Sequence, residues 1–355
     1  MKPAIKEGGA AILIFSVSFF LLLAQLPLYA DSLQDISETS VVSTLSTTKG
    51  VFSASPYSSE KMSHVEIFRF EYRSSGLTET AYLAMPPGKG ERWPVVIFLP
   101  GGGGINGRVL TYVSRLASKG PFNVLAVQYR GLDGSEGRDE YGGRDVDDVL
   151  HLISIARRLS FAGRRIGLLG FSRGGMMAYL ALKKGAAVEV AAVVSAPTDL
   201  TETYDHLSGL RGFFIRRHIR TAIGGSPRDV PDRYKDRSAR FWPERIHVPT
   251  LILQGDRDLL IPPAQVRQFG KILLASCSRC QMVFFKNGDH MLHRFPDDRD
   301  RKIVAWFRAG LRVPERNQDL GLGTPGGISA RRSISLTETP SSPLSPIPAG
   351  TRETP

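Results

Sequence analysis

The hydrophobic pattern of the chain changes near residue 90, and the change predicts a sheet built from two kinds of strand. Residues 68–73 alternate strictly, with Phe68, Phe70 and Tyr72 on one side and charged residues on the other, as in a half-buried strand. Residues 80–85 are expected to pair with it in a hairpin. Continuous apolar runs, typical of parallel strands covered on both faces, follow at 95–99, 123–129, 166–171, 188–194, 251–254 and 282–285.

Segments with helical spacing separate these apolar runs. Val146, Val149 and Ile153 fall on one helical face between two of the strands, and residues 176–182 and 266–274 repeat the pattern. Strands and helices in turn predict an α/β fold, a mostly parallel sheet with helices on both faces. Ligands of such sheets bind at the carboxyl ends of the strands, so the loops there are expected to carry the chemistry.

Both ends of the chain are predicted to lie outside the folded domain, which is expected at residues 64–311. Residues 1–30 combine two lysines, an apolar run over 10–24 and Ala30 before Asp31, which is the pattern of a secretory signal peptide. An uncleaved membrane anchor is the alternative, because residues 10–28 are just long enough to span a bilayer. The Ser/Thr-rich residues 31–63 are predicted to be a linker. The Pro/Ser/Thr-rich residues 312–355 are predicted to be a disordered tail.

These ends predict an exported protein, periplasmic or secreted, or one anchored in the membrane if the first segment is retained. Hydrophobic residues make up 42% of the 355 residues and charged residues 23%, which excludes wholesale disorder and a multi-span membrane protein. The net charge of +12 would suit an anionic partner, but the basic residues are spread along the chain without interleaved aromatics. Nucleic acid is therefore not expected as a partner.

The two cysteines exclude a disulfide scaffold, and no metal or organic cofactor is expected. Cys277 and Cys280 either form a local disulfide or remain free thiols, and the sequence leaves both open. A zinc site that joins them to His290 and His293 is excluded, because the strand of about seven residues between the pairs separates them by roughly 23 Å.

The candidate nucleophile is Ser172, in the sequence Gly170-Phe171-Ser172-Arg173-Gly174-Gly175. This Gly-x-Ser-x-Gly pattern lies between an apolar strand and a helical segment, where a sharp turn lifts the hydroxyl above the sheet. The helix that starts after Ser172 points backbone N–H groups at a developing oxyanion. A Gly-rich turn with a serine N-cap is the structural alternative.

Several motifs in order resemble the α/β-hydrolase fold, and in particular the catalytic domain of the prolyl oligopeptidase family and its dienelactone-hydrolase-like relatives. The resemblance covers about residues 65–311. It rests on residues 94–97 with the glycine loop after them, on residues 129–131, 134–137, 143–148, 195–199 and 249–255, and on the loops that carry an acid and a histidine. It implies an α/β-hydrolase fold with a small cap insertion, expected at residues 198–247.

The resemblance also implies the acid and the base, since this fold places them after the serine in that order. In the family pattern the carboxylate stands two residues before an apolar pair and a proline, which is Asp258; Asp256 is the alternative. His290, in the loop after the last strand, takes the position of the base, which accepts the Ser172 proton and returns it to the leaving group. His293 is interpreted as a surface residue.

The oxyanion donors are expected to be the N–H of Arg173 and an N–H of the loop after residues 95–99, from Gly101 or Gly102. Many relatives have His-Gly-Gly in this loop, whereas this chain has a proline followed by four glycines. A flexible loop is the structural alternative. In the insertion, a basic amphipathic helix is predicted by apolar residues beside arginines, namely Leu210, Phe213, Phe214 and Ile215 beside Arg211, Arg216, Arg217 and Arg220. This is a cap helix with a solvated face, or else a contact with anionic substrate or membrane.

Together these features predict an exported serine hydrolase that cleaves an ester or peptide bond through an acyl-enzyme on Ser172. The resemblance favours a peptidase, and a small-ester hydrolase is the alternative. A catalytically inactive hydrolase fold that serves as a binding protein is the alternative of another class. A small ester or peptide is the expected ligand. Membrane contact is expected through the N-terminal segment more than through the cap, and the oligomeric state is left open.

Overall fold

The hydrophobic runs form one mixed sheet. The computed structural model describes residues 43, 45–49, 51–57, 65–86 and 92–313. Within those ranges nine strands are hydrogen-bonded in the order β1-β2-β3-β5-β4-β6-β7-β8-β9. The strands are β1 (Val51–Pro56), β2 (Glu66–Ser74), β3 (Leu77–Met85), β4 (Val95–Leu99), β5 (Asn123–Val127), β6 (Ile166–Phe171), β7 (Val190–Val194), β8 (Thr250–Gly255) and β9 (Gln281–Phe285).

The two kinds of strand pair as their patterns predict. Strands β1 to β3 form an antiparallel meander that joins β5 in antiparallel register, and β5, β4 and β6 to β9 are parallel. β2 alternates between buried and more exposed side chains over most of its length, whereas every residue of β4 to β8 is buried. The prediction of a mostly parallel sheet is confirmed.

Helices cover both faces of the sheet and bury two separate cores. Val146 of α2 (Asp145–Ala156), Met176 of α3 (Arg173–Lys183) and Phe269 of α7 (Pro263–Ser276) belong to one core. Val113 of α1 (Gly107–Lys119) and Phe307 of α8 (Pro296–Gly310) belong to the other. Because both faces are covered, the open carboxyl edge of the parallel strands is the place for a site.

The helical insertion lies between β7 and β8, where the cap is predicted. It consists of α4 (Leu200–His206), α5 (Gly209–Ile223), α6 (Pro231–Asp236) and two short 3₁₀ turns at Ala239–Phe241 and Pro243–Arg245. We call residues 198–247 the cap.

The linker prediction for residues 31–63 is wrong for residues 51–56. They form strand β1, which pairs with β2, and Leu45 is fully buried in the core below it. An edge strand needs only backbone hydrogen bonds to one neighbour, so its sequence carries little of the period that marks a central strand.

Several other predictions fall outside the described residues. The signal peptide or anchor at residues 1–30 lies outside them, as do most of the linker and residues 314–355 of the tail predicted at 312–355. The tail prediction is wrong for residues 312–313, because Val313 packs against the core and its N–H donates to the carbonyl of Arg308. In the part of the chain that is described, no helix is both long and apolar enough to cross a membrane.

Candidate active site

Ser172 occupies a strained turn between β6 and α3. Its backbone angles are φ 53° and ψ −120°, a conformation with positive φ that residues other than glycine rarely adopt. The turn is held by its neighbours, because the N–H of Ser172 donates to the carbonyl of Val194 and its carbonyl accepts from the N–H of Gly175. This geometry places the hydroxyl at the carboxyl end of the central parallel strands.

The flanking glycines are required by close backbone packing. A Cβ on Gly170 would overlap the backbone of Gly174, and a Cβ on Gly174 would overlap the carbonyl of Leu99. The sharp turn therefore closes only when both positions lack a side chain. This is the physical reason for the Gly-x-Ser-x-Gly pattern in this chain.

The structure brings Ser172, His290 and Asp258 together from three loops. His290 Nε2 lies 2.9 Å from Ser172 Oγ, and His290 Nδ1 lies 2.8 Å from Asp258 Oδ2. The side chain of His290 is 13% exposed, and that of Asp258 is completely buried. With the neutral imidazole protonated on Nδ1, that N–H donates to the carboxylate and the serine hydroxyl donates to Nε2.

The carboxylate of Asp258 is fixed by three further donors. Oδ1 accepts from the N–H groups of Leu260 and Ile261, at 2.9 and 3.0 Å, and Oδ2 accepts from Gln254 Nε2 at 2.9 Å. Burial opposes ionisation, but the hydrogen bonds from His290 and the two backbone groups hold the pKa of Asp258 below its usual value. Asp258 is therefore a buried anion beside the imidazole.

The alternative acid and the second histidine lie elsewhere. The side chain of Asp256 is exposed, and its backbone N–H donates to the carbonyl of Phe285. His293 is exposed and pairs with Asp289, with 2.8 Å between His293 Nδ1 and the carboxylate. Asp258, and not Asp256, is therefore the aspartate that contacts His290.

The glycine loop after β4 lies against Ser172. A Cβ built on Gly101 would stand 3.2 Å from the Cβ of Ser172, whereas one on Gly102, which has φ +58°, meets no atom within 4 Å. The N–H of Arg173 stands at the first position of α3, where helix geometry leaves it without an intrahelical acceptor. The predicted donors Arg173 and Gly101 therefore both neighbour the serine, and Gly102 follows in the same loop.

Three side chains hold this loop, which lacks the histidine of the His-Gly-Gly pattern. The Tyr129 hydroxyl donates to the carbonyl of Pro100 at 2.7 Å. Arg173 Nη1 lies 3.4 Å from the carbonyl of Gly102, and Gln128 Oε1 accepts from the N–H of Ile105 at 2.9 Å. The loop is therefore tied to the residues that follow β5 and to α3, and these contacts argue against the flexible-loop alternative.

The side chain of Arg173 is buried beneath the site and forms an ion network. Its guanidinium donates to Asp139 at 2.8 Å and to Asp145 at 3.1 Å, and it stacks between the rings of Tyr129 and Tyr141. Burial disfavours the charge, but the two carboxylates raise the pKa of Arg173, so it stays protonated. The residue after the nucleophile is thus anchored from below.

The network reaches the cap through Asp139. His218 Nε2 of α5 lies 3.1 Å from Asp139 Oδ2. Burial opposes ionisation of Asp139, but the hydrogen bond from His218 and the charge of Arg173 hold its pKa well below the usual range. A continuous chain of polar contacts therefore connects the turn at the nucleophile with a cap helix.

The sequence pattern does not single out Gln254, Asp139 or the Arg173 side chain as parts of the site. Gln254 has a visible signal, because it is a polar residue at the end of the buried strand β8. Asp139 lies in a loop rich in glycine and charge and carries no such signal. Cys277 and Cys280, left open by the sequence, form a disulfide.

The sheet order, the serine between β6 and α3, and the acid and histidine after β8 and β9 define an α/β hydrolase. A model of the prolyl oligopeptidase family matches residues 111–313, more than half of the chain, and the chain belongs to this family. It is a serine peptidase or hydrolase, as the sequence resemblance predicts.

Comparisons with individual proteins agree with this assignment. Over 200 residues the chain is 32% identical to the uncharacterized peptidase YtmA of Bacillus subtilis (strain 168). The aligned region covers 55% of this chain and 74% of that protein. The structure resembles the Pyrococcus horikoshii acylaminoacyl peptidase, with a TM-score of 0.59, 22% identity, and coverage of 71% of this chain and 43% of that one.

A second solved fold of the same kind is the Pyrococcus furiosus esterase Pf2001. Its TM-score is 0.57 at 16% identity, and the match covers 72% of this chain and 98% of that one. The chain spans about two fifths of the length of the solved peptidases that it resembles. At these identities the solved structures show the fold.

Proposed function

We propose that this protein cleaves a carboxylic ester or peptide bond with Ser172 as nucleophile, His290 as base and Asp258 as the residue that orients the base. The supporting observation is the imidazole of His290, which is held on one side by the serine hydroxyl and on the other by a buried carboxylate. This arrangement fixes the tautomer that accepts a proton at Nε2.

The reaction follows from the geometry in two halves. Ser172 Oγ attacks the substrate carbonyl carbon while its proton passes to His290 Nε2, and Asp258 stabilises the imidazolium. The oxyanion accepts hydrogen bonds from the N–H of Arg173 and of Gly101 or Gly102. The intermediate then expels the alcohol or amine, which takes the proton from His290 and leaves an acyl group on Ser172.

Water completes the cycle by the same route. His290 takes a proton from the water as the water oxygen attacks the acyl carbon. When the tetrahedral intermediate collapses, His290 gives that proton to Ser172 Oγ and the carboxylic acid is released. Apart from the substrate, only water is consumed. The products are a carboxylic acid and the alcohol or amine released in the first half.

A fluorophosphonate probe tests the nucleophile directly. We expect it to label the folded protein at Ser172, and Ser172→Ala to abolish the labelling. Ser195→Ala is the matched control, because Ser195 is a buried serine at the end of the next strand and also has a positive φ, 51°. Absence of labelling in the folded wild type would support the catalytically inactive binding protein instead.

The bond cleaved is the finer part of the proposal. Membership of a family of peptidases favours a peptide or aminoacyl amide, and a small ester is the second candidate because the same three groups cleave both. A panel of p-nitrophenyl esters of rising chain length beside aminoacyl and prolyl p-nitroanilides separates them. Ester turnover with no amide turnover would contradict the peptidase assignment.

We also propose that the protein is exported. The support is the charged, apolar and small-residue order of residues 1–31 together with the Cys277–Cys280 disulfide, a bond that persists in oxidising compartments. N-terminal sequencing of the membrane and soluble exported fractions tests it. We expect a chain that begins at Asp31, whereas a membrane-bound chain that begins near Met1 would support the anchor.

A further inference from the structure

Helix α5 of the cap has an apolar face on each side, although only one of them packs on the protein. Gly212, Ile219 and Ile223 form the buried face. Leu210, Phe213 and Phe214 lie on the other side, and their spacing of i, i+3 and i+4 places them on one stripe. They are 76%, 50% and 59% exposed. The fold therefore does not account for this second face.

Three exposed arginines border the stripe. Arg217 continues it one turn further along, and Arg211 and Arg220 flank it on the two sides. Among the described residues, none of these three guanidinium groups makes a side-chain hydrogen bond or an ion pair within 4 Å, although the charge of Arg220 contributes to the lowered pKa of Asp229. Other surface arginines of the protein, such as Arg144, do form ion pairs. We call Leu210, Phe213, Phe214, Arg211, Arg217 and Arg220 the exposed face of α5.

The charge of this face favours one kind of partner. A second copy of the chain docked through the same face would bring the same arginines together, and like charges at an interface are repulsive. An anionic lipid surface offers both complements, because phosphates attract the guanidinium groups and the acyl boundary accepts leucine and phenylalanine side chains. Long arginine side chains reach the headgroups while their stems cover apolar surface.

We propose that the exposed face of α5 is a docking surface for an anionic phospholipid membrane, with Leu210, Phe213 and Phe214 inserted at the headgroup boundary. Because α5 belongs to the cap and His218 joins it to the Arg173 network, docking brings the cap side of the enzyme to the membrane. The proposal does not depend on the catalytic role of Ser172.

Tryptophan fluorescence with brominated lipids tests the contact at a defined residue of the full chain. We expect vesicles of brominated phosphatidylcholine and phosphatidylglycerol to quench the added emission of Phe214→Trp, which is the fluorescence of the variant in excess of the wild type. The matched control is Ile272→Trp on α7, a position that is 50% exposed. Its added emission should not be quenched, even if the N-terminal segment also tethers the chain to the vesicle.

Charge substitutions test the choice of lipid. The triple variant Arg211→Gln, Arg217→Gln and Arg220→Gln should bind phosphatidylglycerol vesicles about 100-fold more weakly, since each basic residue near such a surface contributes several-fold. Circular dichroism checks that it is folded. Quenching of Phe214→Trp should also fall in 0.5 M salt, because the attraction is screened over about one Debye length.

Three results would overturn the proposal. The first is unquenched Phe214→Trp in a folded protein bound to the vesicles. The second is equal quenching by vesicles of phosphatidylcholine alone, which would exclude the role of anionic lipid. The third combines two measurements: sedimentation velocity shows a dimer that Phe213→Ser converts to a monomer, and vesicles leave Phe214→Trp unquenched. That result would assign the exposed face of α5 to contact with a second copy of the chain.

Discussion

At the scale of single residues, the geometry of the site depends on the immobility of Asp258. A carboxylate that accepts from two backbone N–H groups, an amide and an imidazole cannot rotate without breaking a hydrogen bond. The exposed Asp256, two residues earlier, has none of these constraints on its side chain. The two aspartates therefore make a matched pair for mutagenesis.

Asp258→Asn should leave the fold intact and lower kcat by about 10⁴-fold, because the amide no longer stabilises the imidazolium or fixes its tautomer. Asp256→Asn should change kcat by less than about threefold, since its side chain does not contact His290. Steady-state kinetics with circular dichroism on both variants measures the difference. A larger loss in folded Asp256→Asn would show that the acid is assigned to the wrong residue.

Gln254 is expected to act as a positioning residue for Asp258. Gln254→Leu removes the donor at Oδ2 and should lower kcat by about 10-fold to 100-fold, as loss of a hydrogen bond to a charged group does. The carboxylate then carries more uncompensated charge, so the acidic limb of the pH profile of kcat/KM should move to higher pH.

The control for this variant is Gln265→Leu. Gln265 is also buried and accepts from the N–H groups of Thr198 and Asp199 in the cap, away from His290. It should lower the melting temperature without moving the acidic limb. If Gln254→Leu likewise changes only the melting temperature, Gln254 is a structural residue and the assignment is wrong.

At the scale of elements, the glycine loop after β4 shows which positions are constrained by the nucleophile turn. Gly101 is pressed against Ser172 and the carbonyl of Phe171, with a built Cβ at 3.2 Å from each, whereas a Cβ on Gly103 meets nothing. Contacts of that length force one of the two elements to move. The loop is tightly packed on the side of Ser172 and faces open space on the other.

Gly101→Ala should therefore displace the loop by a few tenths of an ångström and lower kcat by about 10-fold or more, since one oxyanion donor contributes up to about 10³-fold. Gly103→Ala should leave kcat within about twofold of the wild type. Fluorophosphonate labelling rates together with kcat measure both variants. Equal effects of the two substitutions would indicate a general loss of loop flexibility instead of a contact at Ser172.

At the scale of the whole molecule, stability is coupled to pH through a buried acid away from the catalytic residues. Glu79 of β3 is fully buried near Asp148, which pairs with Arg130. Burial, and next the charge of Asp148, raises the pKa of Glu79 from 4.5 to about 8. The folded protein thus keeps a proton that the unfolded chain releases between these two values.

The sign of the linkage follows from this shift. A carboxyl with a raised pKa costs stability as the pH rises from its unfolded value to its folded value, at up to about 1.4 kcal/mol per pH unit. Glu79→Gln cannot ionise, so its free energy of unfolding relative to the wild type should rise by about 3 kcal/mol between pH 5 and pH 8. Urea unfolding at the two pH values measures it.

Glu136→Gln is the control for this prediction. The hydrogen bond from the N–H of Thr78 lowers the pKa of Glu136, so its linkage lies on the acid side of the window. Its offset from the wild type should change far less than that of Glu79→Gln between pH 5 and pH 8, although the charge of Glu136 also adds to the raised pKa of Glu79. A pH-independent offset for Glu79→Gln as well would contradict the raised pKa.

The sequence by itself determined the class of fold and the central part of the site. The continuous apolar runs of β4 to β8 predict parallel strands because both faces of such strands are buried. This pattern can be recognised in each strand without knowing which strands lie beside it. Gly170, Ser172 and Gly174 mark a turn that sterics alone impose. The family pattern singles out Asp258 and His290, since each stands in a loop directly after a strand.

Tertiary structure alone decided what surrounds these residues. β1 and Leu45 join the fold through contacts with β2 and the core, which no local period reveals. Gln254 contacts Asp258, and Asp139 contacts both Arg173 and His218, because distant loops meet at one edge of the sheet. Periodicity reports which side of an element is buried, whereas the identity of the partner on that side depends on how the chain returns to it.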